Sequence, residues 1–207
     1  MPSLSVRSLA EMLNLPAHAQ ARILAEQKHP KQAPQVFRTP YYQQSLAAIR
    51  AFYRSGNQKS ELLEFEAKME GIKQEARREN NLRVLRSFRN SDFAGRTIEL
   101  LVNKSIKHHI GDVELRLSPD LTGVESGKAK VLFLNFRSQV LDPELARSTI
   151  EITHWLLEKA GQERPLKSIQ YVDLYEEKTF EISKRRASTV KAVSENLKII
   201  EALWPTL

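Results

Sequence analysis

The spacing of apolar residues changes from helical to alternating close to Asn90-Ser91. Before that point, apolar residues recur at helical spacing, from about Tyr42 to Tyr53 and again from Leu62 to Phe88. After it they alternate with polar residues, as half-buried strands require. The change predicts a helical N-terminal region, residues 1–92, that packs on an α/β core, residues 93–207, within one continuous domain.

The N-terminal region carries local signals for where its helices begin and end. Ser8, with Glu11 three residues later, forms a potential capping box and predicts that Ser8 caps the first helix. A second helical pattern stops before Pro30, and residues 31–40 are then predicted to form a proline-punctuated connector. The longest pattern is interrupted by the polar residues 75–81, which form either a solvated helix face or a break.

The C-terminal region predicts a sheet. Alternation over residues 98–102 and 113–117 predicts two strands, and the apolar run 131–134 is typical of a central strand. Residues 121–128 are rich in turn-forming side chains and predict a turn.

Helix signals follow the third predicted strand. Asp142 as N-cap, Pro143 at the first helical position and Gly161 past the end together predict one helix. A hairpin over 169–182 and an amphipathic helix over 190–203 complete the order, which is that of a mixed α/β fold.

The 207 residues carry a formal net charge of +7, and the pI is about 9.6. A basic surface attracts phosphate groups, which makes DNA or RNA the expected partner, although solubility alone also explains such a charge. The clustering of basic residues along the sequence favours nucleic-acid binding over solubility alone. The residues predicted to contact nucleic acid are Arg77, Arg78, Arg83, Arg86, Arg89, Lys104, Lys107, Lys184, Arg185 and Arg186.

The chain has no cysteine, which excludes disulfides, thiolate zinc sites, cysteine nucleophiles and thiolate-held iron–sulfur clusters. No apolar run approaches the roughly 18 residues expected of a membrane span. The start, residues 1–10, lacks the charged-then-apolar layout of a signal peptide. We therefore expect a cytoplasmic protein with no membrane contact.

Two short motifs suggest a particular chemistry. Pro119-Asp120 is followed, after 14 intervening residues, by Asn135-Phe136-Arg137. This arrangement resembles the signature of the PD-(D/E)XK nuclease superfamily, in which an aspartate on one strand faces an acid-x-lysine on the next. The resemblance implies a restriction-endonuclease-like fold, with a mixed central sheet flanked by helices.

The start of the chain is similar to the RecB-like branch of that superfamily, including the CRISPR-associated RecB-like exonucleases. These have a Ser-x-x-Leu helix start followed by a Cys-Pro. The counterparts here are Ser5 or Ser8 with Leu9, and Leu15-Pro16. Because a leucine stands where the cluster-binding cysteine would be, no iron–sulfur cluster is expected.

The motif departs from the family pattern in ways that affect catalysis. Metal-dependent phosphodiester hydrolysis needs hard oxygen ligands for Mg²⁺, normally two carboxylates. Asp120 supplies one, but Asn135 offers only a neutral amide and Arg137 replaces the lysine with a permanently protonated guanidinium. The family's Gln-x-x-x-Tyr becomes Glu151 to Trp155. Asn135 and Arg137 are expected to lie on one face of their strand and to point at Asp120.

Three functions remain open from the sequence. The leading hypothesis is a nucleic-acid-binding module with a catalytically degenerate nuclease fold, which serves a larger complex as a subunit and has no cofactor. The second is an active Mg²⁺-dependent DNA nuclease that uses Asp120 as metal ligand, with Glu114 or Glu151 in place of the missing acid. The third is a structural subunit that binds other proteins and does not catalyse.

Overall fold

The computed structural model of the protein describes residues 1–13, 15–29 and 41–207. The predicted connector, residues 31–40, lies outside the described residues. In the described part the helices are α1 (Val6–Leu13), α2 (Ala17–Lys28), α3 (Gln43–Arg54), α4 (Lys59–Glu70), α5 (Glu75–Asn90), α6 (Pro143–Lys159) and α7 (Ala187–Leu203). The strands are β1 (Ser3–Ser5), β2 (Glu99–Leu100), β3 (Ile106–Ile110), β4 (Val113–Leu117), β5 (Leu121–Glu125), β6 (Lys128–Asn135), β7 (Ile169–Asp173) and β8 (Lys178–Phe180).

The described strands form two sheets, so the predicted mixed α/β class is confirmed. The large sheet has the order β2-β5-β6-β7-β8, in which β6 and β7 are parallel and the other neighbours are antiparallel. The small sheet has the order β1-β4-β3. Its strand β1 comes from the N-terminus and pairs in parallel with β4, so the two parts of the predicted division share a sheet.

Side chains on the two faces of the large sheet enter two separate hydrophobic clusters. Phe133 and Tyr171 face a cluster that contains residues of α1, α2, α6 and α7 and of the small sheet. Leu132 and Val172 face the other cluster, which is built from α3, α4 and α5. The alternation of adjacent residues along β6 and β7 therefore holds a helical layer on each face.

One helix prediction is wrong, and the alternatives left open for residues 75–81 are resolved. Ser5, not Ser8, caps α1, because the Ser5 hydroxyl accepts a hydrogen bond from the Ser8 backbone N–H at 3.0 Å and Ser8 lies inside the helix. The long N-terminal pattern is divided at residues 71–74, and the polar residues 75–81 form the first half of α5. The prediction for α6 is confirmed, since the Asp142 carboxylate accepts from the Glu144 N–H at 3.0 Å.

The prediction of a turn over residues 121–128 is wrong, because most of this segment is β5. The turn is confined to Ser126 and Gly127, both of which have positive φ. Gly123 lies inside the strand, where a Cβ would come within 2.6 Å of the Ile98 side chain and 2.7 Å of the Glu99 carbonyl oxygen. Glycine is thus required here by the close approach of β2 to β5, and not by a turn.

None of the helices in the described ranges is long and apolar enough to cross a membrane.

Candidate functional site

Asp120 immediately precedes β5 and is held against the end of β6. Its backbone N–H donates to the Leu132 carbonyl at 3.0 Å, and its Oδ2 accepts from the Leu134 N–H at 2.7 Å. The same oxygen pairs with the guanidinium of Arg7, which α1 projects over this face of the sheet. The aspartate carboxylate is 9% exposed, so a buried carboxylate is matched by a cation of the chain itself.

Aromatic rings complete the environment of Arg7. Its guanidinium carbon lies 4.9 Å from the ring centre of Phe133 and 5.4 Å from that of Tyr171. Both distances are within the range of cation–π attraction. Burial acts to lower the pKa of Arg7, but Asp120 and Tyr171 outweigh it, and the pKa is raised. Burial has the opposite effect on Tyr171, whose pKa it raises. Arg7 therefore remains a cation.

Asn135, the last residue of β6, is buried and uses its amide in local contacts. Its Nδ2 donates to the Gln139 carbonyl at 3.0 Å and to Oδ1 of Asp173 at 3.1 Å, and its Oδ1 accepts from the Arg137 N–H at 3.1 Å. The side chain thus folds the segment after β6 back onto the strand end. Since β6 ends at Asn135, Arg137 lies beyond the strand, and the prediction that both share a strand face is wrong.

Asp173 is a buried acid that motif reasoning missed, and its place after an apolar strand is the one sequence signal that could have found it. It is fully buried at the end of β7. Besides Asn135, it accepts from the Leu141 N–H at 2.7 Å and the Tyr175 N–H at 2.9 Å. Three donors from three segments therefore hold this carboxylate. It fixes the loop between β6 and α6 relative to β7.

A cavity of about 240 Å³ lies beside the ends of β6 and β7, and Arg7, Asn135 and Arg137 line it together. Arg137 is 60% exposed at the cavity and pairs with Glu11 of α1 at 3.2 Å. Asp120 is joined to this cavity through Arg7. The structure therefore brings the three predicted motif residues to one end of the large sheet, with Arg7 between Asp120 and the cavity.

Glu151 and Glu114, proposed as substitute acids, are held elsewhere. Glu151 is fully buried in α6 and binds Arg147 at 3.0 Å, the Arg186 N–H at 3.0 Å, and Thr189. Glu114 accepts from the Ser3 hydroxyl at 2.6 Å on the small sheet, and that hydrogen bond is the main cause of its lowered pKa. Neither glutamate shares a described partner with the Asp120 carboxylate.

The residues at this end of the sheet do not fit a catalytic Mg²⁺ ion. Such an ion needs several oxygen ligands, normally including two carboxylates. Here the Asp120 carboxylate is paired with Arg7, the Asp173 carboxylate accepts from three donors, and the Asn135 oxygen accepts a backbone hydrogen bond. Within residues 1–13, 15–29 and 41–207, no group of three or more histidine and acidic side chains is arranged to hold a metal ion.

Many of the basic residues predicted to contact nucleic acid form ion pairs with acidic side chains. The pairs are Arg78–Glu79, Arg89–Glu66, Lys107–Glu114, Arg185–Glu158, and Arg186 with both Glu144 and Glu151. Lys104, Lys184 and Arg86 are exposed, and Arg77 and Arg83 are half-buried. The predicted clusters are therefore less basic than the sequence suggests, especially around residues 184–186.

Two arginines outside the predicted basic clusters lie closer to the motif. Arg50 of α3 donates to the Asp120 carbonyl from Nε at 3.1 Å and from Nη2 at 2.7 Å. Arg54, one turn later, lines a second cavity of about 230 Å³ together with Arg50 and Asp120. Burial lowers the pKa of Arg50, Asp120 opposes that shift, and Arg54 adds to it.

Arg83 of α5 reaches the same region and donates to the Phe136 carbonyl at 2.8 Å. We use the term arginine group for Arg7, Arg50, Arg54, Arg83 and Arg137, which surround the Asp120 and Asn135 ends of β5 and β6. Spacing could have identified Arg50 and Arg54 as one face of a helix. Only the packing of α3 and α5 against the sheet shows that this face meets the motif.

The phenyl ring of Phe136 stacks on Tyr42 at the entrance to α3, with ring centres 5.5 Å apart and planes 25° apart. Both rings are half-buried and both line the 240 Å³ cavity.

No protein-family model matches this chain, and no curated protein matches it either.

Proposed function

We propose that this protein is a nucleic-acid-binding module with a restriction-endonuclease-like fold and a catalytically degenerate site, and that it acts as a subunit of a larger complex. The order of α5, β2, β5, β6, α6 and β7 supports the fold assignment, with β3 and β4 inserted between β2 and β5 and paired in the small sheet. The core of the PD-(D/E)XK family, which the motif resembles, has the order helix, three strands, helix, strand. The described elements follow the same order, since α5 precedes three antiparallel strands and α6 then leads to the parallel strand β7.

The pairing of Arg7 with Asp120 carries the proposal. In a metal-dependent nuclease the aspartate at this motif position would be a metal ligand. Here a guanidinium neutralises the carboxylate and is itself held by the rings of Phe133 and Tyr171. A site whose aspartate is already neutralised by an arginine of the same chain favours binding of nucleic acid over its hydrolysis.

The charges of the neighbouring helices support a phosphate-binding role. α5 contains five arginines and two glutamates, and α3 contains two arginines and no acidic residue. Arg83 donates to a neutral backbone carbonyl, so its position is fixed while its charge remains available at longer range. Cations held in this way attract a phosphate backbone without reading its sequence.

Exposed apolar residues support the second part of the proposal, a place in a larger complex. Val102 is 80% exposed and its neighbour Leu101 43% exposed. Both line a groove of about 190 Å³ with Ile106 and Leu117. Adjacent exposed apolar side chains beside a groove are a common feature of protein–protein contacts.

The proposal is tested with labelled single-stranded and duplex DNA and RNA, incubated with the protein in the presence of Mg²⁺, Mn²⁺ or EDTA. We expect binding in all three conditions, uncut nucleic acid, and an affinity that falls steeply between about 50 and 200 mM salt. Cleavage that disappears in an Asp120→Ala variant would overturn the non-catalytic part. A lack of binding to every nucleic acid at the lowest salt would overturn the binding part and favour a protein-binding subunit.

A further inference from the structure

The 240 Å³ cavity at the ends of β6 and β7 contains more aromatic surface than a phosphate site needs. Tyr42, Phe136 and Tyr171 contribute three rings to its lining, and Arg7 and Arg137 contribute two cations. Phosphate backbones are bound by cations and hydrogen-bond donors and need no aromatic ring, whereas rings beside cations are typical of sites that also hold bases.

The stacked pair is fixed in place by the fold. Phe136 follows β6 directly, and its carbonyl accepts a hydrogen bond from Arg83 of α5. Tyr42 immediately precedes α3 and stacks on Phe136. The two rings are thus brought together by elements from opposite halves of the sequence. A preorganised ring pair loses little conformational entropy when another flat ring packs beside it.

The size of the cavity limits its occupant. Pockets that enclose drug-sized molecules usually measure about 300–1,000 Å³, so a cavity of about 240 Å³ takes one small planar group. In a duplex each base is paired and stacked between its neighbours, and only an unpaired or extruded base can enter such a cavity.

We propose that this cavity is a base-binding pocket for single-stranded nucleic acid, in which an unpaired base packs against Tyr42 and Phe136 while Arg137 contacts the adjoining phosphate. This inference rests on the proposed function and adds strandedness to it. Arg137 is 60% exposed, and its contact with the half-exposed Glu11 is of the kind that contributes little, so it is free to turn towards a phosphate.

The pocket is expected to accept different bases. The side chain best suited to read a base edge, Asn135, uses both ends of its amide on Gln139, Asp173 and Arg137. Stacking and charge then provide most of the attraction, and every base has a flat face. We expect similar affinity for purine-rich and pyrimidine-rich strands.

The test compares the affinity of four proteins for one single-stranded oligonucleotide and for its duplex. The proteins are the wild type, Tyr42→Ala, Tyr42→Phe, and Tyr175→Ala as control. Tyr175 is 48% exposed near the end of β7 but does not line the cavity. We expect Tyr42→Ala to bind the single strand roughly tenfold more weakly. Its duplex binding should be unchanged, and the other two variants should resemble the wild type. Unchanged duplex binding also shows that Tyr42→Ala has folded.

The outcomes separate this inference from the proposed function. If Tyr42→Ala binds the single strand as the wild type does, or loses single-strand and duplex binding equally, the base-binding pocket is overturned and the binding module stands. If the wild type binds neither, both are overturned. A 2-aminopurine base in the oligonucleotide gives a second measurement, since its fluorescence should change on binding to the wild type and not to Tyr42→Ala.

Discussion

The Asn135 side-chain amide donates a 3.1 Å hydrogen bond to the Asp173 carboxylate, across the parallel pair of β6 and β7 where the two residues lie in register. Asp173 is fully buried and Asn135 is 5% exposed. An acid at position 135, as the nuclease motif would have, would bring two carboxylates together in a nearly dry site. The buried carboxylate of Asp173 at the end of β7 therefore requires an amide, and not an acid, at position 135.

The substitution Asn135→Asp should destabilise the protein by about 2–3 kcal/mol at neutral pH, through loss of the donor and repulsion between the carboxylates. One carboxyl of the pair should then have a raised pKa, so the loss is largest above that pKa and shrinks as the pH falls through it. Urea unfolding at pH 7.5 and 5 measures both effects.

Gln139→Glu is the matched control for this change, because it makes the same amide-to-acid change at an exposed position of the same loop. Its effect should be within about 0.5 kcal/mol. An Asn135→Asp protein as stable as the wild type at pH 7.5 would contradict the assigned role of Asp173.

Arg7 should stabilise the fold mainly through Asp120. Arg7→Met leaves the aspartate carboxylate, 9% exposed, without its cation, and we expect a loss of about 2–3 kcal/mol, below the full value for a buried pair because the Arg7 side chain is 31% exposed. Adding Asp120→Asn should recover part of this loss. A double-mutant cycle by urea unfolding gives the coupling, which should exceed about 1 kcal/mol.

Arg22→Met, at an exposed position of α2, is the control for the lost arginine and should be nearly neutral. Strictly additive effects of Arg7→Met and Asp120→Asn would mean that the ion pair contributes nothing of its own.

Those parts of the fold that depend on neighbouring residues could be predicted from the sequence. Asp142 caps α6 through a residue two positions away, and the apolar run of β6 marks a central strand wherever it pairs. β1 could not be predicted, because Ser3–Ser5 is a strand only when β4, more than 100 residues later, lies beside it.

In the candidate site, too, features set by residues close in sequence could be predicted and features set by distant residues could not. Asp120, Asn135 and Arg137 form a sequence motif because they lie at or just outside neighbouring ends of the two strands of one hairpin, β5 and β6. Their counter-ion could not be predicted, since Arg7 is 113 positions from Asp120 and looks like an ordinary helix residue. Long-range contacts of this kind depend on packing, which periodicity does not specify.

Glu125 should make the stability of the protein depend on acidic pH. Both of its oxygens accept from Arg96, at 2.6 and 2.7 Å, and this contact is the main reason why its pKa is lowered. A lowered pKa stabilises the folded state above the unfolded value of about 4.3, and that contribution is lost as the pH falls through the folded value.

Glu125→Gln should therefore cost about 1–2 kcal/mol at pH 7, and its difference from the wild type should shrink below about pH 4. Urea midpoints from pH 7 to 3 measure this. Glu64→Gln, at a 64% exposed position beside Lys68, should show almost no difference at any pH. A Glu125→Gln deficit that is constant or grows towards acid would contradict the assigned pair.

The central claim is that nucleic acid binds at the Asn135 end of the large sheet. A triple charge reversal, Arg54→Glu, Arg86→Glu and Arg137→Glu, changes three exposed arginines: Arg54 and Arg137 line the cavities beside Asp120 and Asn135, and Arg86 lies on α5 three residues after Arg83. Its control, Lys128→Glu, Lys191→Glu and Lys198→Glu, makes the same change in net charge at exposed positions elsewhere. Lys128 lies at the opposite end of β6, seven residues and roughly 23 Å from Asn135.

The deciding measurement is the salt dependence of single-strand affinity, by fluorescence anisotropy, for the wild type and both triple variants. The arginine variant should bind at least tenfold more weakly, and its slope of log affinity against log salt should be shallower by about 0.7 for each phosphate that the protein no longer neutralises. The lysine variant should keep the wild-type slope. Equal decreases in affinity for both variants, or an unchanged slope in the arginine variant, would contradict a binding site at this end of the sheet.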